Sequence, residues 1–204
     1  MTAEMLPWVI SRATGFVAFA LISGAMVAGL LVRTRAAIGP LRGAGMVDLH
    51  RHLSLLGLAA IAVHGGSLLF DRTVDVSPLA LVVPGLIPYR PLWTGIGVVA
   101  AELALIVHLS FRFRSRIGVK TWRRLHWATY AVFAGGAVHG IASGTDTGST
   151  SAQMLYAGAV GAVAALTGWR AVTARRAPAR KPKPARQTGS VDESATHSAD
   201  GAAA

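Results

Sequence analysis

Two apolar stretches of this chain each carry a pair of histidines at nearly one spacing. His64 follows His50 by 14 positions in HRHLSLLGLAAIAVH, and His139 follows His126 by 13 in HWATYAVFAGGAVH. At 1.5 Å rise per residue, either spacing sets two imidazoles about 20 Å apart along a helix axis. That is most of the roughly 30 Å hydrocarbon thickness of a bilayer. A polar ring at such depth is costly unless it is partnered, so an intramembrane histidine is a functional candidate by default. One such histidine alone is equally well explained by an interhelical hydrogen bond. Four, at two matched depths on two segments, constrain the fold much more tightly.

With 204 residues, 52% hydrophobic and mean hydropathy +0.49, the chain is too apolar for an ordinary soluble domain. Five segments read as transmembrane helices, at 8–32, 48–70, 93–111, 122–142 and 152–173. The first carries Arg12 and lacks a basic leader, so it reads as a retained span rather than a cleaved signal. The expected fold is all-α, an integral membrane bundle of about five helices over residues 1–173. Residues 174–204, rich in Pro, Lys, Arg, Ser and Ala, read as a disordered basic cytoplasmic tail in which His197 is inert.

Charge orients the bundle. The connection Arg33–Arg51, the stretch RFRSRIGVKTWRR and the tail hold every Lys and Arg except Arg12, Arg72 and Arg90. With five spans these three basic segments fall on one side, and the positive-inside rule makes that side cytoplasmic, with the N-terminus outside. The net charge of +11 follows from this arrangement, so no nucleic acid partner is expected. His50 and His126 are then level near the cytoplasmic end, and His64 and His139 near the outer end.

No cysteine is present, which excludes disulfides, iron–sulfur clusters, thioether-attached haem and thiolate zinc sites. Two neutral imidazoles on facing helices suit the axial positions of a low-spin b-type haem. Two bis-histidine sites stacked across a membrane would carry electrons through it. One angle fits less well. At 100° per residue, 14 positions return to within about 40° of one face, whereas 13 miss by about 140°. The fourth helix therefore needs tightening or a bend, which Gly135 and Gly136 would permit.

LHRHLSLLGLAAIAVHGG and WRRLHWATYAVFAGGAVHG resemble the haem-binding helices of the ferric reductase-like transmembrane domain. NADPH oxidases, ferric reductases and the haem subunit of a methionine sulfoxide reductase system share that domain. The oxidases show the same 14 and 13 spacings. The resemblance covers residues 8–173 and implies that His50 and His126 ligate an inner haem b, and His64 and His139 an outer one. The sulfoxide-reductase subunit usually has arginine where His50 stands, so occupancy by two haems, or by one, follows which relative is nearer. Two departures stand out: the oxidases have a further span, and a flavin or nicotinamide domain after the last helix. The resemblance thus implies a cytoplasmic-membrane oxidoreductase or electron-transfer subunit. Its donor would be quinol or a separate flavoprotein, and its acceptor ferric iron or an outer-side protein.

Other residues have two readings each. Arg12 would pair with a haem propionate or snorkel to the interface. Arg51, Arg123 and Arg124 would do the same for the inner haem or simply follow the positive-inside pattern. His52 is an alternative inner ligand or an interface residue. His108 would tune the inner haem, serve quinone or proton chemistry, or only pack through a hydrogen bond. Glu102 would relay protons or make a structural hydrogen bond. The apolar, proline-broken stretch 79–91 reads as a connecting loop rather than a cap on the outer site. Trp8, Trp93, Trp122, Trp127 and Trp169 form an aromatic belt, and Gly24, Gly29 and Gly57 allow close helix approach. A metal or proton transporter is the alternative of another class, and it would gather its ligands at one depth.

Overall fold

A computed structural model describes residues 5–34 and 43–176; the basic connection before residue 43 and the tail beyond 176, with His197, lie outside the described residues. All regular structure among them is helical. The helices are α1 (Leu6–Thr34), α2 (Ala44–Ser67), α3 (Pro91–Ser110), α4 (Arg114–Ile117), α5 (Val119–His126), α6 (Thr129–Ser143) and α7 (Thr150–Arg176). Short 3₁₀ turns at Leu68–Phe70 and Pro78–Leu81 interrupt the long connection between α2 and α3. Among the described residues, four helices are long and apolar enough to cross a membrane: Leu6–Thr34, Ala44–Phe70, Pro91–Ser110 and Thr150–Thr173.

The expected fourth span, 122–142, is two helices. α6 has 15 residues, which reach about 22 Å at 1.5 Å per residue. α5, VKTWRRLH, is charged, and a turn at Trp127–Ala128 joins the two. There Trp127 N–H donates to Arg124 O, Ala128 N–H to Leu125 O and Tyr130 N–H to Trp127 O, each spanning three residues instead of four. Such bonds wind the chain more tightly than an α-helix. The tightening that the spacing of 13 demands is therefore present, but its place differs from expectation. Gly135 and Gly136 lie inside unbroken α6. A Cβ on Gly135 would stand 3.1 Å from Ala100 Cβ, so this glycine serves the close approach of α3.

α1 is the central helix and packs against α2, α6 and α7, while α3 packs mainly on α6. Glycines bring α1 and α2 together as expected: a Cβ on Gly24 would meet Leu53 at 3.3 Å, and one on Gly57 would meet Ile22 at 2.8 Å. The main core joins Phe19, Met26 and Leu30 of α1 to Phe133 and Ala137 of α6 and to Ala152, Tyr156 and Val163 of α7. Phe19 stacks on Phe133 with ring centres 5.8 Å apart and tilts against Tyr156 at 4.8 Å.

The connection between α2 and α3 has a small core of its own, in which Val76, Ala80 and Ile87 pack on Val98 of α3. Its end is tied to the C-terminus of α6, where Tyr89 Oη donates to Ser143 O at 3.2 Å and the Arg90 guanidinium donates to Ala142 O. A cation there complements the helix dipole. Pro91 then opens α3 at a position that needs no amide hydrogen.

Because Phe19 touches two helices besides its own, Phe19→Ala should cost roughly 3 kcal/mol of stability, as large-to-small core changes do. Reversible unfolding in mixed micelles measures it. A loss below about 1 kcal/mol would mean the aromatic cluster is not the main core.

Candidate functional site

The four histidines meet in two pairs. His50 and His126 have ring centres 6.1 Å apart with planes at 73°, and His64 and His139 lie 6.0 Å apart at 71°. A metal–imidazole bond of about 2 Å plus about 1 Å from nitrogen to ring centre, taken twice, gives about 6 Å across a shared metal ion. Both pairs have that span. His50 and His64 are set about 21 Å apart by the helix rise, so the pairs occupy opposite ends of the bundle.

One device holds three of the four rings. Nδ1 of His64 donates to Ser11 O at 2.7 Å, Nδ1 of His50 to Ala25 O at 2.8 Å and Nδ1 of His139 to Trp93 O at 3.0 Å. A carbonyl only accepts, so each Nδ1 carries a proton, and in the neutral ring Nε2 then keeps its lone pair. In each case a glycine stands four residues after the carbonyl and lies under the ring. A Cβ on Gly15 would be 3.0 Å from His64 Nδ1, one on Gly29 3.2 Å from His50 Nδ1, and one on Gly97 2.6 Å from His139 Nδ1. In a helix the side chain at i+4 covers the carbonyl of residue i, so a glycine there uncovers it. Metal-ligating histidines usually donate their second ring nitrogen in this way, which fixes tautomer and orientation. His126 is held otherwise, stacked on Trp122 with centres 5.2 Å apart and planes at 29°.

Beside His64 and His139 is a cavity of about 470 Å³, bounded by α1, α2, α3, α6 and both connections at that end. Its size suits a cofactor site, for which roughly 300–1,000 Å³ is usual. Val74, Leu81, Ile87 and Tyr89 of the α2–α3 connection form part of its wall. This connection was expected to be a plain linker; instead it caps the site, and its own small core holds the cap in place. Arg12 also lines the cavity, where it pairs with Asp146 and lies over the Trp8 ring at 4.0 Å. Asp146 of the α6–α7 connection balances the charge of this half-exposed guanidinium.

Three buried side-chain polar atoms lack a hydrogen-bond partner among the described residues: Asp71 Oδ2, Trp122 Nε1 and Ser143 Oγ. Asp71 and Ser143 line the cavity, and Trp122 stacks on His126. Orphan polar atoms thus accompany both histidine pairs. The Trp122 and Ser143 groups are donors and match an anionic ligand group such as a propionate. Asp71 Oδ2 only accepts and matches a donor. The donor set also fits haem. Two neutral imidazoles are too few for an all-protein tetrahedral site, whereas a porphyrin fills four positions on iron and leaves two axial ones.

The remaining candidates lie outside both pairs. His52 is exposed and bonds its own turn through Asp48 O at 2.8 Å. His108 is exposed near the end of α3, and Glu102 is half-buried on the same helix. The structure brings none of them to a ring pair. Ser11, Gly15, Gly97, Asp71, Ser143, Asp146 and the stacking of Trp122 were not foreseen as parts of a site. One signal was available: Gly15 and Gly29 are 14 positions apart, the spacing of His50 and His64 on the antiparallel neighbour.

With no metal or cofactor added, nitrogen-15 spectra of labelled histidine should therefore show the Nδ1–H tautomer for His50, His64 and His139. A dominant Nε2–H form at these three would contradict the cradle. Comparison of the chain with known protein families, with characterised proteins and with solved structures gave no match.

Proposed function

We propose that this protein is a b-type dihaem membrane cytochrome, similar to the ferric reductase-like transmembrane domain, that moves electrons across the cytoplasmic membrane to an outer-side acceptor. The observation that carries the reading is the pair of 6 Å imidazole separations at two depths, with Nε2 lone pairs kept free by carbonyl-bound Nδ1 atoms. In this reading α5 and α6 together make the fourth of five spans, and the basic connections face the cytoplasm. His50 and His126 serve the inner haem, and His64 and His139 the outer one.

Bound between such rings, haem supplies a one-electron couple between Fe(III) and Fe(II). The chain's own residues do the rest. Ser11, Ala25 and Trp93 hold three imidazoles at fixed angles through their carbonyls. Gly15, Gly29 and Gly97 give the rings room. The α2–α3 connection and the apolar wall of Phe16, Phe19 and Ile22 keep water from the outer site. Ser143 Oγ–H and Trp122 Nε1–H offer donors to propionates. Ferric iron or an outer-side redox protein would be the acceptor.

A second reading, a quinol-fed haem subunit of an extracytoplasmic reductase, draws on an apolar recess of about 420 Å³ between the Pro84–Gly85 turn, α3 and α6. It shares Ala100 with the cavity beside His139, so an isoprenoid quinol seated there would lie next to the outer site. A transporter is disfavoured because the histidines pair at two depths, about 21 Å apart along α2, instead of converging at one.

A dithionite-reduced minus oxidised spectrum with haem counted per chain tests the proposal. Sharp low-spin b-type bands at two haems per chain are expected. His126→Ala and His139→Ala should each halve the haem. Gly97→Val should imitate His139→Ala, because its Cβ would fall 2.6 Å from Nδ1. Unchanged haem in the histidine variants would refute the ligand assignment, and a haem-free wild type supplied with haem would refute the reading.

A further inference from the structure

At the end of the bundle that holds His50 and His126, an aromatic series runs from the surface to the histidine pair. Phe111 is 43% exposed. Its ring centre lies 5.9 Å from that of Trp122, Trp122 lies 5.2 Å from His126, and His126 lies 6.1 Å from His50. Guanidinium groups flank the outer rings: Arg114 stands 4.7 Å from the Phe111 centre and 6.0 Å from that of Trp122, and Arg51 stands 5.4 Å from Phe111. Around them the chain exposes Arg112, Arg116, Lys120, Arg123 and Arg124. The one acid nearby among the described residues, Asp48, is matched by Arg51 at 3.6 Å.

A positive-inside bias accounts for cations at this end. It does not account for an exposed phenyl ring clamped between two arginines and linked ring by ring to a half-buried histidine. Interfaces favour this combination of aromatic and arginine side chains. A surface of one charge sign steers a partner of the opposite sign and speeds their encounter.

We propose that this basic aromatic face is the docking surface for a soluble, acidic electron-donor protein, with Phe111 and Trp122 spanning the tunnelling path to the inner histidine pair. The inference rests on the haem reading. In each encounter the donor's reduced flavin would give up one electron, its proton balance met by water, and a haem held by His50 and His126 would accept it.

The test uses the full chain, loaded with haem, in neutral phosphatidylcholine nanodiscs. Two donors are compared: reduced flavodoxin, a small acidic flavoprotein, and photoreduced 5-deazariboflavin, a small neutral donor. Flavodoxin should reduce the wild type at a rate that falls about tenfold or more between low and high salt, as steered association does. Arg114→Gln with Arg116→Gln should slow flavodoxin about tenfold at low salt while haem content and the deazaflavin rate stay unchanged. Phe111→Ala should slow flavodoxin without changing haem content. Deazaflavin reduction with flavodoxin rates that are negligible, insensitive to salt or equal in wild type and the charge variant would overturn the surface while leaving the cytochrome reading intact. Absence of haem bands with either donor would remove both.

Discussion

The two histidine pairs depend on three hydrogen bonds from imidazole Nδ1 to a backbone carbonyl on a neighbouring helix. Inside a membrane such a bond has little competition from water, and a polar ring without one is costly. The bonds to Ser11 and Ala25 fasten α2 to α1 at both ends, and the bond to Trp93 fastens α6 to α3. The same bonds decide the tautomer and turn each Nε2 away from its own cradle. Structural attachment and ligand preparation are thus one interaction. That economy depends on glycine at i+4, since any side chain there would cover the carbonyl and meet the ring.

The two ends of the bundle are not equivalent. The end with His64 and His139 is capped by the α2–α3 connection, which is anchored by its own apolar cluster and by Tyr89 and Arg90 on the carbonyls of α6. Arg12 and Asp146 join α1 to the α6–α7 connection at the same place. The opposite end is open, cationic and aromatic. There His126 rests on Trp122, which is bonded to no carbonyl and reaches toward the surface through Phe111. A capped, largely apolar cavity with a few polar groups at one end and an accessible ring series at the other make the two ends chemically distinct.

Much of this was legible in the sequence because membrane thickness and helix rise leave few choices. Segment positions, histidine depth and the grouping of basic residues followed from length, hydropathy and charge. The spacing of 13 also told that the fourth segment could not be a regular helix. It misled only about where. Glycines drew attention to 135–136, whereas the chain tightens at Trp127–Ala128, where the charged pattern of VKTWRRLH gives way to the apolar run of α6. That the stretch 79–91 closes over the His64–His139 cavity, the weaker of its readings from sequence, was obscured for a different reason. Pro84, Pro88 and Pro91 mark a turn-rich connection, and nothing local shows that Val76, Ala80 and Ile87 will find one another. Trp93 acts through its backbone carbonyl, to which side-chain identity gives no clue, and Ser11 adds to its carbonyl a hydroxyl that donates to His64 O, a pairing that only tertiary contact creates. Asp146 and Ser143 acquire their setting only through tertiary contact.

Low-temperature electron paramagnetic resonance of the oxidised, haem-loaded protein tests the central claim most directly, because it reports ligand type and ring orientation together. With ring planes at 73° and 71°, the account predicts two low-spin ferric signals, both of the strongly anisotropic kind that near-perpendicular axial imidazoles give. A high-spin spectrum, or no ferric haem signal, would contradict it.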